Sequence, residues 1–193
     1  MRLAALCLVV ATAVPSLSMA QAPVFAVAPA ESSMKFYVKA SVALNGTFDK
    51  WDATLTFTSP EVSTGALEIK IQAASVNTGS GMKDGKLKSK DFFNVEQDPY
   101  ITFKSTSVTQ TGPTSFSVPG TFTVRGVSKP ETLTFNATGE GTGTGEIKGT
   151  MAFDRKEFGM NSGIPFIKIA DRVEVTVDLF VKRVSGPPLN LKK

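Results

Sequence analysis

Two carboxylate pairs, Asp49 with Asp52 and Asp154 with Glu157, are the groups whose spacing could do acid–base chemistry. Cleavage of a glycosidic bond needs two such carboxyls flanking a cleft. Both pairs fall on strand exteriors and turns, where a solvated surface is the simpler account. Histidine is absent from all 193 residues, and the one cysteine is Cys7. That excludes Ser-His-Asp and Cys-His nucleophilic sites, and with them the nitrogen and sulfur ligands of zinc, copper, haem and iron–sulfur centres. No catalytic residue, metal site or cofactor is assigned. The run GEGTGTG (139–145) has the glycine density of a phosphate-cradling loop, but it joins two β-patterned segments with no helix after it and reads as a hairpin tip.

The remaining cluster of charge is Lys83 and the stretch DGKLKSKDFFNVEQDPYITF (84–103) that follows it, in which Lys86, Lys88 and Lys90 run into Phe92-Phe93. Lysines so placed could meet an anionic head group or membrane surface. Equally, they could be the solvated face that keeps an apolar cap soluble.

The elements around this stretch alternate with period two. Eight strands follow from the pattern, carried by Met34 to Ala40, Trp51 to Phe57, Leu67 to Ala73, Ile101 to Phe103, Phe116 to Val124, Leu133 to Ala137, Ile147 to Phe153 and Val173 to Val181. Each has one wet face. Asn45-Gly46, Thr111 to Pro113, Val127 to Pro130 and residues 138–146 read as turns. Most connections are too short for crossover helices, so the strands run antiparallel. Barrel and sandwich both fit, and the runs of roughly 8 to 12 residues, against a usual strand of about 5–6, lean toward an elongated barrel. None of the inward residues is ionisable, so an unfilled interior would take an apolar ligand. Ordinary core packing accounts for the same pattern.

The first twenty residues have one charge, Arg2, then an apolar run and a Ser18-Met19-Ala20 ending, the organisation of a secretory signal peptide cut after about Ala20. The expected organisation is a signal peptide (1–20), one β-barrel domain (21–185) and a loose tail (186–193). Without Arg2 the chain keeps all but one of its 21 Lys and Arg against 17 Asp and Glu. So small an excess does not point to nucleic acid. A periplasmic or secreted protein, monomer or homodimer, is expected.

Residues 75–105 carry a longer pattern: Ser75 and Thr78, then Asp84, Leu87, Ser89, Asp91, Phe92 and Phe93, then Pro99, Ile101, Phe103 and Ser105. Order and spacing resemble the YceI-like family of exported lipid-binding proteins. Further matches are Gly120 with Phe122 and Val124, residues 126–129, Asp154-Arg155 with residues 158–160, and the last strand from Val173, so the resemblance spans about Phe25 to Val184. Where the family usually has an arginine before the Asp, this chain has Lys83. The resemblance implies an all-β, extended eight-stranded antiparallel lipocalin-like barrel with a short helix and loop as cover. It also implies a non-enzymatic binder, store or carrier of an apolar isoprenoid lipid or quinone.

On that reading Leu87, Phe92 and Phe93 turn inward from the cover. The pore lies among Phe36, Trp51, Phe57, Phe103, Phe122, Phe135, Met151 and Phe153, and Lys83, Asp84, Lys86 and Arg155 stand at the head-group end or rim. Arg155 alternatively pairs with Asp84 or Asp91 and pins the long connections. The rival function is a stress-induced structural or interaction protein with a filled barrel and no lipid, acting through exposed Tyr37 and Phe180. A carboxylate-only enzyme on saccharides is a third reading, opposed by the apolar lining.

Overall fold

The last strand, β12 (Ile169–Ser185), is 17 residues long and turns Val173, Val177, Leu179 and Val181 inward. Along one edge it pairs antiparallel with β11 (Thr144–Asp154), from Asp154↔Arg172 to Thr144↔Lys182. Its other edge serves two partners in succession. Residues 173–178 pair with β2 (Ser33–Ala40), and residues 181–185 pair with β1 (Val24–Val27). A strand this long therefore ties together two tiers of one molecule.

The computed structural model describes residues 21–41, 44–139, 142–163 and 168–192. The signal peptide expected over 1–20 lies outside them, as do Glu140 and Gly141 of the hairpin tip. Besides those named, the strands are β3 (Leu44–Phe48), β4 (Trp51–Thr56), β5 (Ala66–Gln72), β6 (Val76–Asn77), β7 (Tyr100–Ser105), β8 (Thr109–Gln110), β9 (Ser115–Val124) and β10 (Val127–Thr138). All twelve belong to one sheet, in the order β4-β5-β7-β9-β10-β11-β12-β2-β3-β6, with β1 added to β12 and β8 to β9.

Twelve segments amount to eight strands, because four strands are bent or interrupted. β3 runs into β4 through Asp49 and Lys50 alone, and β5 runs into β6 through a single 3-10 turn at Ala73–Ser75. These two bent strands pair with one another around the bend. β4 pairs with β5 and β3 with β6, and at the corner Asp49 N donates to Ser75 O (3.1 Å) and Gln72 N to Lys50 O (2.9 Å). Since β3 also pairs with β2, the circuit closes. The expected antiparallel barrel is found. Only at the far tier do β1 and the end of β4 meet through side chains instead, Phe25 against Phe57, the residue after β4, with ring centroids 5.6 Å apart.

Two turn assignments need correction. Asn45 and Gly46 are inside β3, opposite Tyr37 and Phe36. Glycine is required there because the Phe36 ring lies on it: an added Cβ would come within 2.8 Å of Phe36 Cζ. Val127 to Pro130 belong to β10, and the turn is Arg125-Gly126, both at positive φ (54° and 70°), as a two-residue type I′ hairpin requires. Pro130 is tolerated because β10 pairs with β11 only from Thr134 onward, so its missing N–H faces no partner strand.

The cover over the first tier is α1 (Gly81–Lys88) and the turns that follow. Its sequence has one apolar residue that reaches the core, Leu87. The helix is held by ties at its ends. Thr78 donates through N and Oγ1 to Asp84 Oδ1 (2.8 and 2.6 Å), and Phe93 N donates to Leu87 O (2.9 Å), turning Phe92 and Phe93 under the helix.

Candidate functional site: a two-chambered apolar interior

The interior is divided. Under α1 lies a chamber of about 70 Å³, with Phe36, Phe48, Leu87, Phe92, Phe93, Phe122 and Phe153 among its walls. At the opposite end, where the β10–β11 hairpin projects, lies a larger one of about 180 Å³. Phe25, Leu55, Phe57, Leu67, Phe116, Val118, Phe135, Leu179 and Val181 are among its walls.

A belt of buried side chains separates the two. On β5, Ile69 sits between Ile71 of the smaller chamber and Leu67 of the larger; on β11, Met151 sits between Phe153 and Ile147; on β12, Val177 sits between Val175 and Leu179. Phe103 occupies the same level on β7, its ring against Gly120 of β9, where an added Cβ would come within 2.6 Å of Phe103 Cζ. The ring of Phe135 likewise lies against Gly149, its neighbour across the β10–β11 ladder. Laying an aromatic ring on a glycine keeps the ladder intact while the ring spans space a second side chain would occupy.

The residues expected to form one pore are thus distributed. Phe36, Leu87, Phe92, Phe93, Phe122 and Phe153 come together at the α1 end, while Phe57 and Phe135 are at the other. Phe103 and Met151 are buried in the belt, and half-buried Trp51 lines neither chamber. Sequence reading gave no place at the site to Phe48, Phe25, Arg183, Leu189 or Leu191, nor to Phe158, which it named only within the matched segment 158–160. Phe158 has no exposed surface and closes a trio with Phe122 and Phe153, with centroids 5.0–5.5 Å apart in tilted and edge-on geometries. It sits in a 3-10 turn outside any alternation, which is why period two does not find it.

The charged candidates are mostly committed to structure. Asp84 caps Thr78, as above. Lys86 Nζ donates to Asp91 Oδ2 at 2.6 Å, and this hydrogen bond holds the Asp91 carboxyl below the usual carboxylate range. Lys83 is half-buried on α1.

Arg155 is 6% exposed and pins the 155–171 connection, as one sequence reading had it, but through Asp171 and not Asp84 or Asp91. Its Nε donates to Ala170 O (3.1 Å), one terminal nitrogen to Met160 O and Ser162 O, and the other to Asp171 Oδ1 (3.1 Å). Asp171 is held below the usual carboxylate range by a hydrogen bond from Lys156 first, and by Arg155 after it. A guanidinium with four protein acceptors has little left for a ligand. Arg125 bridges neighbouring loops in the same way, donating to Lys90 O (2.7 Å) and Gly159 O. Of the two aromatics expected on the outer surface, Tyr37 is 44% exposed. Phe180 is half-buried, placed opposite Glu146 and beside the segment that precedes β2.

Such an arrangement can enclose apolar matter and position little else. No carboxylate lines either chamber among the described residues, and the only charged side chains at the walls are Lys35 and Arg155 at one end and Arg183 at the other.

Comparison with known proteins agrees with this architecture. BcnA of Burkholderia cenocepacia superposes with a TM-score of 0.73 over 80% of this chain and 99% of its own, at 24% identity. A polyisoprenoid-binding domain from Saccharophagus degradans, implicated in plant cell wall breakdown, gives 0.65 over 83% and 99%, at 15% identity. In sequence, a UPF0312 protein of Pseudomonas savastanoi pv. phaseolicola is 31% identical over 133 residues, which are 66% of this chain and 69% of that protein. Residues 25–181, from the first strand of the barrel to the buried Val181 near the end of the last, match the YceI-like domain, and the chain belongs to that family.

Proposed function

We propose that this protein is an exported, non-catalytic binder of an apolar isoprenoid lipid, of polyprenyl or quinone type, held inside the barrel. The observation that carries the reading is the two-chambered interior, walled by aliphatic and aromatic side chains. At about 25 cal/mol per Å² removed from water, a hydrocarbon of many carbons gains enough on entering to offset the cost of ordering it. A polyisoprenoid-binding domain among the structural neighbours supports the same class of ligand. The absence of carboxylates from the lining among the described residues favours binding over saccharide turnover.

The chambers as they stand set a condition. An apolar cavity of about 150 Å³ holds a benzene ring, so the larger chamber has room for one small ring or branched unit. A long chain enters only if a wall yields or the belt at Phe103 and Met151 shifts. Export rests on the leader read in residues 1–20. Around α1, half-buried Lys83 and Lys88, exposed Lys90 and Met82, 88% exposed, supply cationic and apolar groups suited to transient contact with an anionic membrane surface.

Native mass spectrometry of the protein purified from the exported fraction, followed by organic extraction, tests the reading. A stoichiometric adduct with isoprene-unit mass spacing is expected. A clean apoprotein mass that persists after incubation with quinones and polyprenyl phosphates would overturn it. The small chamber volumes would then favour the alternative, a filled barrel that acts through its outer surface.

A further inference from the structure

Beyond β12 the chain turns back on the barrel. At Gly186 the backbone takes a φ of +79°, where an added Cβ would strike the Ala22 carbonyl, and the Arg183 guanidinium donates to Gly186 O. Residues 187–192, expected from sequence to be loose, then cross the mouth of the larger chamber. Pro188, Leu189 and Leu191 form part of its wall, and both leucines pack on the core.

The remaining ties of this segment are few and peripheral. Asn190 donates through N to Pro60 O (2.9 Å) and through Nδ2 to Glu61 Oε1 (2.6 Å). Lys192 and Gln110 exchange two hydrogen bonds of 2.8 Å. The other walls of the chamber are mostly ladder strands; this one is joined to the barrel by a single β-bridge, Glu61↔Asn190. It is the wall that can leave without breaking the barrel.

Its chemistry resembles that of the proposed cargo. Leucine ends in a methyl-branched hydrocarbon, and Leu189 and Leu191, two residues apart, present two such branches to one apolar chamber. Among the described residues the opposite end of the barrel shows no comparable appended segment; there the Phe122–Phe153–Phe158 trio packs together and Arg155 ties its own connection down.

We propose that the C-terminal segment is the resident occupant of the pore mouth. Leu189 and Leu191 hold the place of a methyl-branched hydrocarbon, and the ligand enters at this end, not under α1. Loading swings residues 187–192 away about Gly186. Arg183 then loses its Gly186 acceptor and stands at the mouth beside Thr144, where it donates to an acceptor on the ligand's polar head. The inference rests on the lipid-binding reading above and specifies the direction of loading and the orientation of the cargo.

A disulfide staple tests it. Residues 21–193 contain no cysteine, so Glu61→Cys with Asn190→Cys, bridge partners in the structure, gives one disulfide that locks the segment down. Uptake of geranylgeraniol from detergent micelles, read by native mass spectrometry, is expected to be about ten-fold lower for the oxidised protein than for the same protein after reduction. The chain ended at Gly186 is expected to load at least as fast as the intact one. Equal uptake by oxidised and reduced protein would overturn the inference and leave the lipid-binding reading standing. No uptake by any form, the shortened chain included, would overturn both. The oxidised-to-reduced comparison is made on one protein and does not depend on the shortened chain folding.

Discussion

At the α1 end of the barrel, interlocked phenylalanines and a buried arginine seal a small chamber; at the hairpin end, a short terminal segment with two half-buried leucines lies over a larger one. The ends share strands and differ in what covers them. One cover is woven into the connections between strands, and the other is appended after the last strand. On the loading proposal, the woven end would supply stability and the appended end would admit the cargo.

The contrast should appear first in stability. Phe158→Ala, which empties the centre of the aromatic trio, is expected to cost about 3–5 kcal/mol by chemical denaturation, while Leu189→Ala costs under about 1 kcal/mol. Comparable costs would erase the distinction between the ends. Next, Arg155→Met should cost about 3 kcal/mol, because it leaves three carbonyls without their donor and Asp171 with Lys156 alone, and Arg155→Lys should recover only part of that because an ammonium cannot fork to several acceptors.

A smaller loss, about 1–3 kcal/mol, is expected for Gly149→Ala, whose Cβ would push the Phe135 ring into the larger chamber. That variant should also lose geranylgeraniol uptake, which Leu189→Ala should keep. The smallest effect is on pH dependence. Because the Asp171 carboxyl is held low in the folded state, its contribution is complete above the ordinary carboxylate value and is lost as pH falls through the depressed one. Protection of the Met160 and Arg172 amides, taken relative to the intrinsic exchange rate at each pH, should therefore fall in acid, and Asp171→Asn should remove most of that fall.

Much of this was legible in the sequence, for reasons that can be located. Strands with one wet face, such as β5 with Leu67, Ile69 and Ile71 inward, announce themselves by period two. The short halves of the bent strands do not, since β6 and β8 are two residues each and β3 carries an Asn-Gly pair that usually marks a turn. Leu87, Phe92 and Phe93 were placed inward correctly because the resemblance supplied what alternation could not.

The division of the pore was not legible. Whether Phe103 lines a chamber or fills the belt depends on its ring lying on Gly120, and that is fixed by the register between β7 and β9, which residue type does not reveal. The partner of Arg155 was missed for a similar reason. Three carbonyls of its own loop satisfy most of it, and carbonyls leave no trace in residue type.

The length of β12 bears on how the molecule comes to exist. Ser33 and Asp178, paired across the β2–β12 ladder, are 145 residues apart in the chain. The barrel therefore cannot close until nearly the whole polypeptide is available. Contacts of such separation make folding slow, on the millisecond-to-second scale typical of non-local β-topologies. Until β12 is available, β1, β2 and β11 each lack the strand they pair with, and its arrival is what closes the barrel.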